Sequence, residues 1–232
     1  LMRLVNAMVT PTSGRVFVRD QDVAGEDPVR LRRSIGYVLQ EGGLFPHRSI
    51  ADNIATVPRL EGATKQASRE RALELLELVG LDREMADRYP AQLSGGQRQR
   101  VGVARALANR ADILLMDEPF GALDPIVRTE LQCELKEIQR VLGTTILFVT
   151  HDVDEAFTLG DQVAVLSTGG HIEQVGTPTE LLSSPASPFV AEFVGASRAA
   201  RPVRVAGPGG LVADDAGTPG GTLTTDEAGE RP

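Results

Sequence analysis

Residues 113–119 have the sequence Ile-Leu-Leu-Met-Asp-Glu-Pro. Its first four residues form an uninterrupted apolar run, which is typical of a strand in a parallel sheet covered on both faces. Two carboxylates, Asp117 and Glu118, follow at the end of the strand where α/β proteins usually bind ligands. Asp117 is placed to hold Mg²⁺ through water, and Glu118 to act as general base on a water that attacks a phosphate. The alternative is a solvated strand end.

A second apolar run lies at residues 145–149, and a helical pattern separates it from the first. Asp124 is placed to cap this helix and Gly143 to end it. The helix is predicted to bury a stripe formed by Leu131, Leu135, Ile138 and Leu142. His151 follows the second strand directly, so it emerges at the same sheet edge as Glu118, in reach of a terminal phosphate as a hydrogen-bond donor. The ordinary alternative for a lone histidine is packing.

Gln40 ends a third short strand, predicted at residues 35–39. Its amide can contact Mg²⁺ or the attacking water without holding either tightly, which suits a reversible sensor. A glutamine at a strand end indicates little when taken alone. Further upstream, an apolar helix is predicted over residues 1–9 and a strand at residues 16–18.

Residues 93–97, Leu-Ser-Gly-Gly-Gln, precede another predicted helix. A serine hydroxyl and glycine amides thus lie at a helix N-terminus, where free N–H groups and the positive end of the helix dipole favour an anion. The pattern indicates a phosphate site formed by Ser94, Gly95, Gly96 and Gln97. The alternative is a glycine-rich loop with an ordinary helix cap.

Residues 49–101 form a block in which the pattern is helical rather than β. Ser49 is placed as a helix cap together with Asp52. Before the helix-stopping Gly80, apolar residues recur at helical spacing at Ala72, Leu75, Leu76 and Val79. We therefore expect a helical insert between two strands of the sheet.

The C-terminal part of the sequence changes in character. A hairpin is predicted from residues 163–166 and 172–175 around a Thr-Gly-Gly turn. Residues 196–232 are rich in Gly, Pro, Ala, Thr and Asp and have almost no periodic apolar face, which is typical of disorder. We expect one domain over residues 1–195 and a low-complexity, disordered tail over residues 196–232.

Composition excludes some classes of function. The formal net charge of −8 argues against a nucleic-acid partner, which calls for a basic face. No stretch approaches the ~18 consecutive apolar residues of a membrane-spanning helix, and the first residues lack the layout of a secretory signal. The single cysteine, Cys133, is expected to be a small buried hydrophobe on its helix, and a reducing cytoplasm fits this cysteine usage.

Taken together, these residues resemble the ordered motifs of the ATP-binding cassette (ABC) ATPases. In chain order, Gln40 matches the Q-loop, residues 93–97 the signature, and residues 113–119 the Walker B strand with its catalytic glutamate. Residues 122–124 then match the D-loop, and His151 matches the switch histidine. The resemblance covers residues 1 to about 195. It implies an α/β fold of the P-loop NTPase type, with a mostly parallel sheet and a helical subdomain at about residues 49–101.

The resemblance also implies ATP and Mg²⁺ as ligands and a head-to-tail homodimer, in which the signature of one subunit caps ATP bound to the other. Glu118 and His151 would be catalytic, and Gln40 and Asp117 would contact the metal. The residues implied in nucleotide binding are Gln40, Ser94, Gly95, Gly96, Gln97, Asp117 and Asp124.

The sequence G-x-x-x-x-G-K-[ST] of a phosphate-binding loop does not occur in these residues, since the only lysines, Lys65 and Lys136, do not follow a glycine. In the family this loop leads into a sequence like residues 1–6, so we expect the missing segment immediately upstream of Leu1. Without it, we expect residues 1–232 by themselves to be inactive as an ATPase. The alternative is a non-catalytic remnant that docks on a membrane partner and does not bind ATP.

Cargo is chosen by other subunits, yet the sequence narrows the type of transporter. Residues 37–47 and 53–60 resemble the importer ATPases for glycine betaine, choline and carnitine, chiefly through the Val-Pro pair after Asn-Ile-Ala. Transmembrane permease subunits, a separate substrate-binding protein and a peripheral position at the cytoplasmic face of the membrane are implied. An importer ATPase for another small solute is one alternative. A soluble cassette ATPase of DNA repair or chromosome maintenance is another, although it would carry a long coiled-coil insert between Gln40 and Ser94.

The segment Leu44-Phe45-Pro46 is apolar where a loop is normally polar. With the helical block up to Tyr89, the surface from Gln40 to His47 is expected to grip a cytoplasmic helix of the membrane subunit. Packing beneath the helical block is the alternative fate for Leu44 and Phe45.

Overall fold

The computed structural model describes residues 1–121, 123–199, 204–206, 211–213 and 219–222. The chain divides into two compact units, which meet in the sequence after His151. Ala122, the first residue of the predicted D-loop, lies outside the described residues.

The first unit contains a parallel sheet, a small antiparallel pair of strands, and helices. Its strands are β1 (Phe17–Val18), β2 (Gln21–Asp22), β3 (Ile35–Val38), β4 (Ile113–Asp117) and β5 (Thr145–Val149). Its helices are α1 (Met2–Val5), α2 (Pro28–Ser34), α3 (Ile50–Ile54), α4 (Thr56–Leu60), α5 (Lys65–Leu78), α6 (Gly95–Leu107) and α7 (Pro125–Leu142). Short 3₁₀ turns lie at Val23–Gly25, Gln40–Gly42, Arg83–Asp87 and Pro90–Gln92.

The sheet at the centre of this unit has the order β3-β4-β5, and both pairings are parallel. Val38 lies opposite Met116, and Asp117 lies opposite Val149, so the carboxyl ends of the strands meet at one edge. The predicted α/β fold with a parallel sheet is confirmed. Burial on both faces is confirmed for β4, but the prediction was wrong for β5, which is only partly buried.

Helix α7 begins and ends as predicted. The Asp124 carboxylate accepts a hydrogen bond from the Val127 N–H at 3.1 Å, and Gly143 follows in the left-handed conformation with φ 64°. Leu131, Leu135 and Ile138 are buried, but the prediction was wrong for Leu142, because the last turn of the helix extends past the core into solvent. It was also wrong for Cys133, which is exposed. Two residues along a helix turn the side chain by about 200°, so Cys133 faces away from the buried stripe.

The block between β3 and β4 consists of helices and 3₁₀ turns. Ser49 caps α3 by accepting a hydrogen bond from the Asp52 N–H at 3.2 Å. The predicted apolar stripe of α5 is confirmed, since its members are 2% exposed or less: Ala72, Leu75, Leu76 and Val79. Gly80 ends this segment with φ 66°.

The opening helix is shorter than predicted. It ends at Val5 rather than near residue 9, because Ala7 adopts a positive φ of 53° that a right-handed helix does not accommodate. The strand predicted at residues 16–18 is present as β1, which pairs with β2.

The second unit contains α8 (Val153–Leu159), β6 (Val163–Leu166), β7 (Ile172–Gly176), α9 (Pro178–Ser183), α10 (Pro188–Ala199), β8 (Arg204–Ala206), β9 (Leu211–Ala213) and β10 (Pro219–Thr222). Strands β6 and β7 form the predicted antiparallel hairpin, with Gly169 and Gly170 at positive φ in the turn. A small core joins this hairpin to α9 and α10 through Val165, Leu181, Val190 and Val194.

Strands β8, β9 and β10 form a separate antiparallel sheet within residues 196–232. The remainder of that range beyond Ala199 lies outside the described residues, so the predicted disordered tail and the predicted domain over residues 1–195 stay predictions. In the part of the chain that is described, no helix combines the length and the apolar composition needed to cross a membrane.

Candidate functional site

The carboxyl edge of the parallel sheet gathers the acidic and imidazole side chains singled out in the sequence. The Glu118 N–H donates to the Val149 carbonyl at 2.9 Å, so the β4–β5 ladder continues one residue beyond Asp117. His151, two residues beyond β5, then approaches Glu118, with 3.3 Å between its Nδ1 and the carboxylate Oε1. The structure therefore brings Glu118 and His151 into contact and places Asp117 beside them in the chain.

The backbone of Glu118 is strained. Its φ is 42°, in the left-handed region, which costs a non-glycine residue roughly 1 kcal/mol or more. Hydrogen bonds on both sides hold this conformation, because the Glu118 carbonyl also accepts from the Gly121 N–H at 3.3 Å. Such strain is concentrated at functional sites, where surrounding structure fixes a side chain in an otherwise unfavourable position.

Asp117 lies half-buried at the end of β4 and influences Tyr37 on the neighbouring strand. Burial, with the negative charge of Asp117 as a second cause, raises the pKa of the Tyr37 hydroxyl, and Arg3 opposes the effect. Asp117 therefore lies close enough to Tyr37 to influence its hydroxyl group across the β3–β4 pair.

Gln40 is exposed and opens the 3₁₀ turn Gln40–Gly42, two residues after β3 ends. Because β3 is parallel to β4, Gln40 leaves the sheet at the same edge as Asp117. Within the described ranges, no group of three or more His, Cys, Asp or Glu side chains is arranged to hold a metal ion by itself.

The signature residues form a helix N-terminus, as predicted. Ser94 and Gln97 are joined in a capping box: the Ser94 hydroxyl accepts from the Gln97 N–H at 3.2 Å, and the Gln97 side-chain oxygen accepts from the Ser94 N–H at 2.9 Å. Arg98 adds a third restraint by donating to the Leu93 carbonyl at 2.7 Å. The helix-cap interpretation and the anion-site interpretation are compatible, since the same loop that caps α6 presents its amides at the helix end.

The signature also packs against the first turn of α7. A Cβ at Gly96 would lie 2.7 Å from a methyl group of Val127, so only glycine fits there without displacement. An open groove of about 510 Å³ lies beside this contact and is bordered by signature residues and by side chains of α7 and of the 3₁₀ turn near residue 85: Ser94, Gly96, Gln97, Val127, Glu130, Asp82 and Met85. The sequence predicted Ser94 to Gln97 here but not the walls of the groove.

Sequence reasoning missed two side chains that shape the segment after Gln40. Asn53 is fully buried and bonds to the backbone of Phe45, Arg48 and Ser49. Arg105, on α6, donates to the carbonyls of Gly42 and Gly43. For Asn53, the available signal was an asparagine among the apolar positions of a short helix. A buried polar side chain is usually hydrogen-bonded, most often to backbone groups.

Comparisons with known proteins identify the family of this chain. The family profile described as "ABC transporter" matches residues 1–121. The glycine betaine/carnitine/choline transport ATP-binding protein OpuCA of Bacillus subtilis is 53% identical over 197 residues, which are 85% of this chain and 52% of that protein. The sulfate/thiosulfate import ATP-binding protein CysA of Brucella melitensis is 51% identical over 209 residues, 88% of this chain and 57% of that protein. The chain spans about half the length of these curated relatives.

A solved structure gives the same indication at the level of the fold. The dimeric structure of a post-hydrolysis state of the ATP-binding cassette MJ0796 bound to ADP and Pi aligns with a TM-score of 0.67 at 32% identity, covering 76% of this chain and 78% of that one. The family profile and these relatives indicate the same family as the order of the motifs and the parallel sheet with its acidic edge. The chain belongs to the ABC transporter family.

Proposed function

We propose that this protein is the ATP-hydrolysing subunit that energises an ABC importer, with glycine betaine, choline or carnitine as the type of solute. The observation that supports this proposal most is the contact at the carboxyl edge of the sheet between Glu118, which directly follows Asp117, and His151. The Glu118 Oε1 and the His151 Nδ1 are 3.3 Å apart. A carboxylate fixed at this edge, with an imidazole against it, is suited to activate a water next to a phosphate.

Glu118 is the general base in this proposal. Its carboxylate takes a proton from the attacking water while the water oxygen bonds to the terminal phosphorus and the bond to the ADP oxygen breaks. His151 steadies the carboxylate through Nδ1, and its side chain, 75% exposed, leaves the other ring nitrogen accessible to a phosphate oxygen. The backbone hydrogen bonds to Val149 and Gly121 hold Glu118 in its strained conformation and so keep the carboxylate in this position before substrate arrives.

Mg²⁺ is the metal that suits the residues at the sheet edge. Asp117 and Gln40 offer a carboxylate and an amide oxygen, which are the hard ligands this ion prefers. A site with few protein ligands also fits, because Mg²⁺ keeps several waters and takes the rest of its ligands from phosphates. When bound, Mg²⁺ neutralises charge on the phosphate oxygens.

A second copy of the chain is the proposed partner for the signature. Gly95 and Gly96, whose N–H groups are not used by the capping box of Ser94 and Gln97, lie at the helix end beside an open groove, a suitable surface for the terminal phosphate of ATP held by the other copy. Asp124, exposed at the start of α7, belongs to the same surface through the D-loop. The resemblance to a dimeric cassette bound to ADP and Pi supports this arrangement.

The membrane partner is proposed to be a pair of transmembrane permease subunits, contacted through residues 40–47 and the helical block up to Tyr89. Phe45 is 40% exposed, and the Arg48 guanidinium lies 5.0 Å from the centre of its ring. Tyr89, on the same block, is 49% exposed. These exposed aromatic groups favour contact over packing beneath the block. A separate substrate-binding protein and a position at the cytoplasmic face of the membrane follow from the same proposal.

Relatives with nearly equal identity to this chain are named for different solutes. The relative that transports glycine betaine, carnitine and choline is 53% identical, but a sulfate/thiosulfate importer subunit is 51% identical. An importer ATPase for another small solute is therefore the second candidate. Uptake of labelled glycine betaine, choline, carnitine and sulfate by cells with and without the gene would separate the two.

Glu118→Gln tests the catalytic role in the protein expressed from its own gene and assembled with its membrane subunits. The amide keeps the shape of the side chain and removes the base, so turnover should fall about 10²- to 10⁴-fold while ATP stays bound. Glu137→Gln, at an exposed carboxylate that pairs with Arg140, is the matched control and should keep normal turnover.

Normal hydrolysis by the Glu118→Gln variant would show that another residue is the base, and His151 would become the first candidate. If the unsubstituted assembly does not bind ATP, the non-catalytic alternative is favoured instead. The relatives do not support that alternative, since they are named as ATP-binding proteins of transport systems.

A further inference from the structure

Arg105 connects two segments that are far apart in the sequence. It lies near the C-terminal end of α6, the helix that begins at the signature, and its Nη1 donates to the Gly43 carbonyl at 2.7 Å. Its Nη2 donates to the Gly42 carbonyl at 2.8 Å. Two charge-assisted hydrogen bonds from one planar guanidinium fix both distance and orientation of the chain just after Gln40. Burial lowers the pKa of this guanidinium from its usual value, in keeping with a desolvated contact.

The same segment touches α6 backbone to backbone. A Cβ at Gly42 would lie 2.7 Å from the Arg98 carbonyl oxygen, and a Cβ at Gly102 would lie 3.1 Å from the Gly42 Cα. Glycine on both sides therefore allows an approach that any side chain would prevent. The turn Gln40–Gly42 consequently lies directly on the helix, with Arg105 at its end.

Helix α6 is held firmly enough to act as a rigid connection. The capping box between Ser94 and Gln97 fixes its N-terminus. In its middle, Arg100 donates to the Val79 carbonyl at 3.0 Å and pairs with Glu134 at 2.7 Å. At a rise of 1.5 Å per residue, Arg105 lies about 16 Å along the helix from Ser94.

We propose that Arg105 is a positioning residue that ties the Gln40–Gly43 segment to α6, so that a displacement of Gln40 is carried along the helix to the signature at Ser94. This tie, the pair of hydrogen bonds from Arg105 to the Gly42 and Gly43 carbonyls, lies entirely within the first unit. Its role in transmitting the state of one nucleotide site to the other, and to the membrane partner, rests on the proposed function.

Hydrogen exchange at the Gly42 amide tests the contact between Arg105 and the segment without reference to ATP, because this amide donates to the carbonyl of Leu39, just before the segment, at 3.0 Å. Arg105→Gln should speed its exchange about tenfold or more, since the bonds to charged donors are lost. Arg105→Lys keeps one charged donor and should restore much of the protection. Arg100→Gln, which removes a guanidinium from the same helix but leaves the segment untouched, is the control and should leave the Gly42 amide unchanged. Equal exchange in the parent and Arg105→Gln proteins would overturn the proposal.

The number of solute molecules moved per ATP hydrolysed, in the protein assembled with its membrane subunits, tests the positioning role. This ratio does not depend on the fraction of folded protein, so a merely structural loss leaves it unchanged. Arg105→Gln should lower it and Arg105→Lys should restore most of it. A proportional fall of hydrolysis and transport, with the ratio constant, would overturn the positioning role even if exchange at Gly42 increases. If the unsubstituted assembly hydrolyses no ATP, the proposed function fails, and exchange at Gly42 alone decides whether Arg105 forms the tie.

Discussion

Replacing Asn53 by alanine should destabilise the first unit by several kcal/mol, although Asn53 belongs to none of the predicted motifs. The Asn53 carboxamide is fully buried. Its oxygen accepts from the Phe45 N–H at 2.7 Å, and its nitrogen lies 3.1, 3.1 and 3.0 Å from the carbonyls of Phe45, Arg48 and Ser49. One side chain therefore shapes the loop that follows the Gln40–Gly43 segment.

The size of the effect follows from the number of bonds. One accepted bond and two N–H donors, shared among three carbonyls, give about three bonds at roughly 1 kcal/mol each. Leaving the Phe45 N–H without its partner adds roughly 1 kcal/mol or more. We therefore expect Asn53→Ala to cost about 3–4 kcal/mol of the free energy of unfolding. Asn109→Ala is the matched control, because the Asn109 side chain makes one such bond, to the Arg33 carbonyl at 2.9 Å, and should cost about 1 kcal/mol.

Native-state hydrogen exchange of the amides in β4 is a suitable assay, because this buried central strand should exchange only when the first unit unfolds. Asn53→Ala should speed their exchange roughly 100-fold or more, and Asn109→Ala roughly fivefold. If the two variants speed exchange to the same extent, Asn53 does not organise the loop and the reasoning is refuted.

Gly96→Ala should reduce the free energy of unfolding by about 1–3 kcal/mol and so lower the melting temperature, because its Cβ would lie 2.7 Å from a Val127 methyl group. Adding Val127→Ala should recover part of the loss, and an unchanged melting temperature in the single variant would contradict this prediction. Arg19 bonds to the exposed Asp112 carboxylate and lowers its pKa below the usual 3.8, so the pair stabilises the fold above that value and loses its effect as the pH falls through the lowered pKa. Arg19→Gln should accordingly cost up to about 1 kcal/mol more at about pH 6 than at about pH 2, measured by urea unfolding at both values, and an equal cost at both would count against the pair. Leu44→Ser with Phe45→Ser should uncouple solute transport from ATP hydrolysis while nucleotide binding persists; if the double variant unfolds instead, these side chains are core rather than contact surface.

The order of elements could be predicted from the sequence because the signals for it are local. Four apolar residues before Asp117 make a buried strand, a capping residue such as Asp124 starts a helix, and a glycine such as Gly143 ends it. The order of the motifs likewise gave the family, since each motif is a contiguous stretch. The sequence therefore determined the parallel sheet, the helical block and the residues at the carboxyl edge.

Which side chains and backbone groups contact each other depends on the three-dimensional packing of distant segments. Periodicity placed Leu142 in the buried stripe, but the core stops before the last turn of α7, and nothing local marks where a core ends. Gly43 and Arg105 are 62 positions apart in the sequence, and no local pattern indicates that the Arg105 side chain bonds to the Gly43 carbonyl. The same holds for the close approach of Gly96 to Val127 and for the strain at Glu118. These features depend on contacts between distant segments, and the free energy of such a contact is set by the geometry of both partners, which neither segment encodes alone.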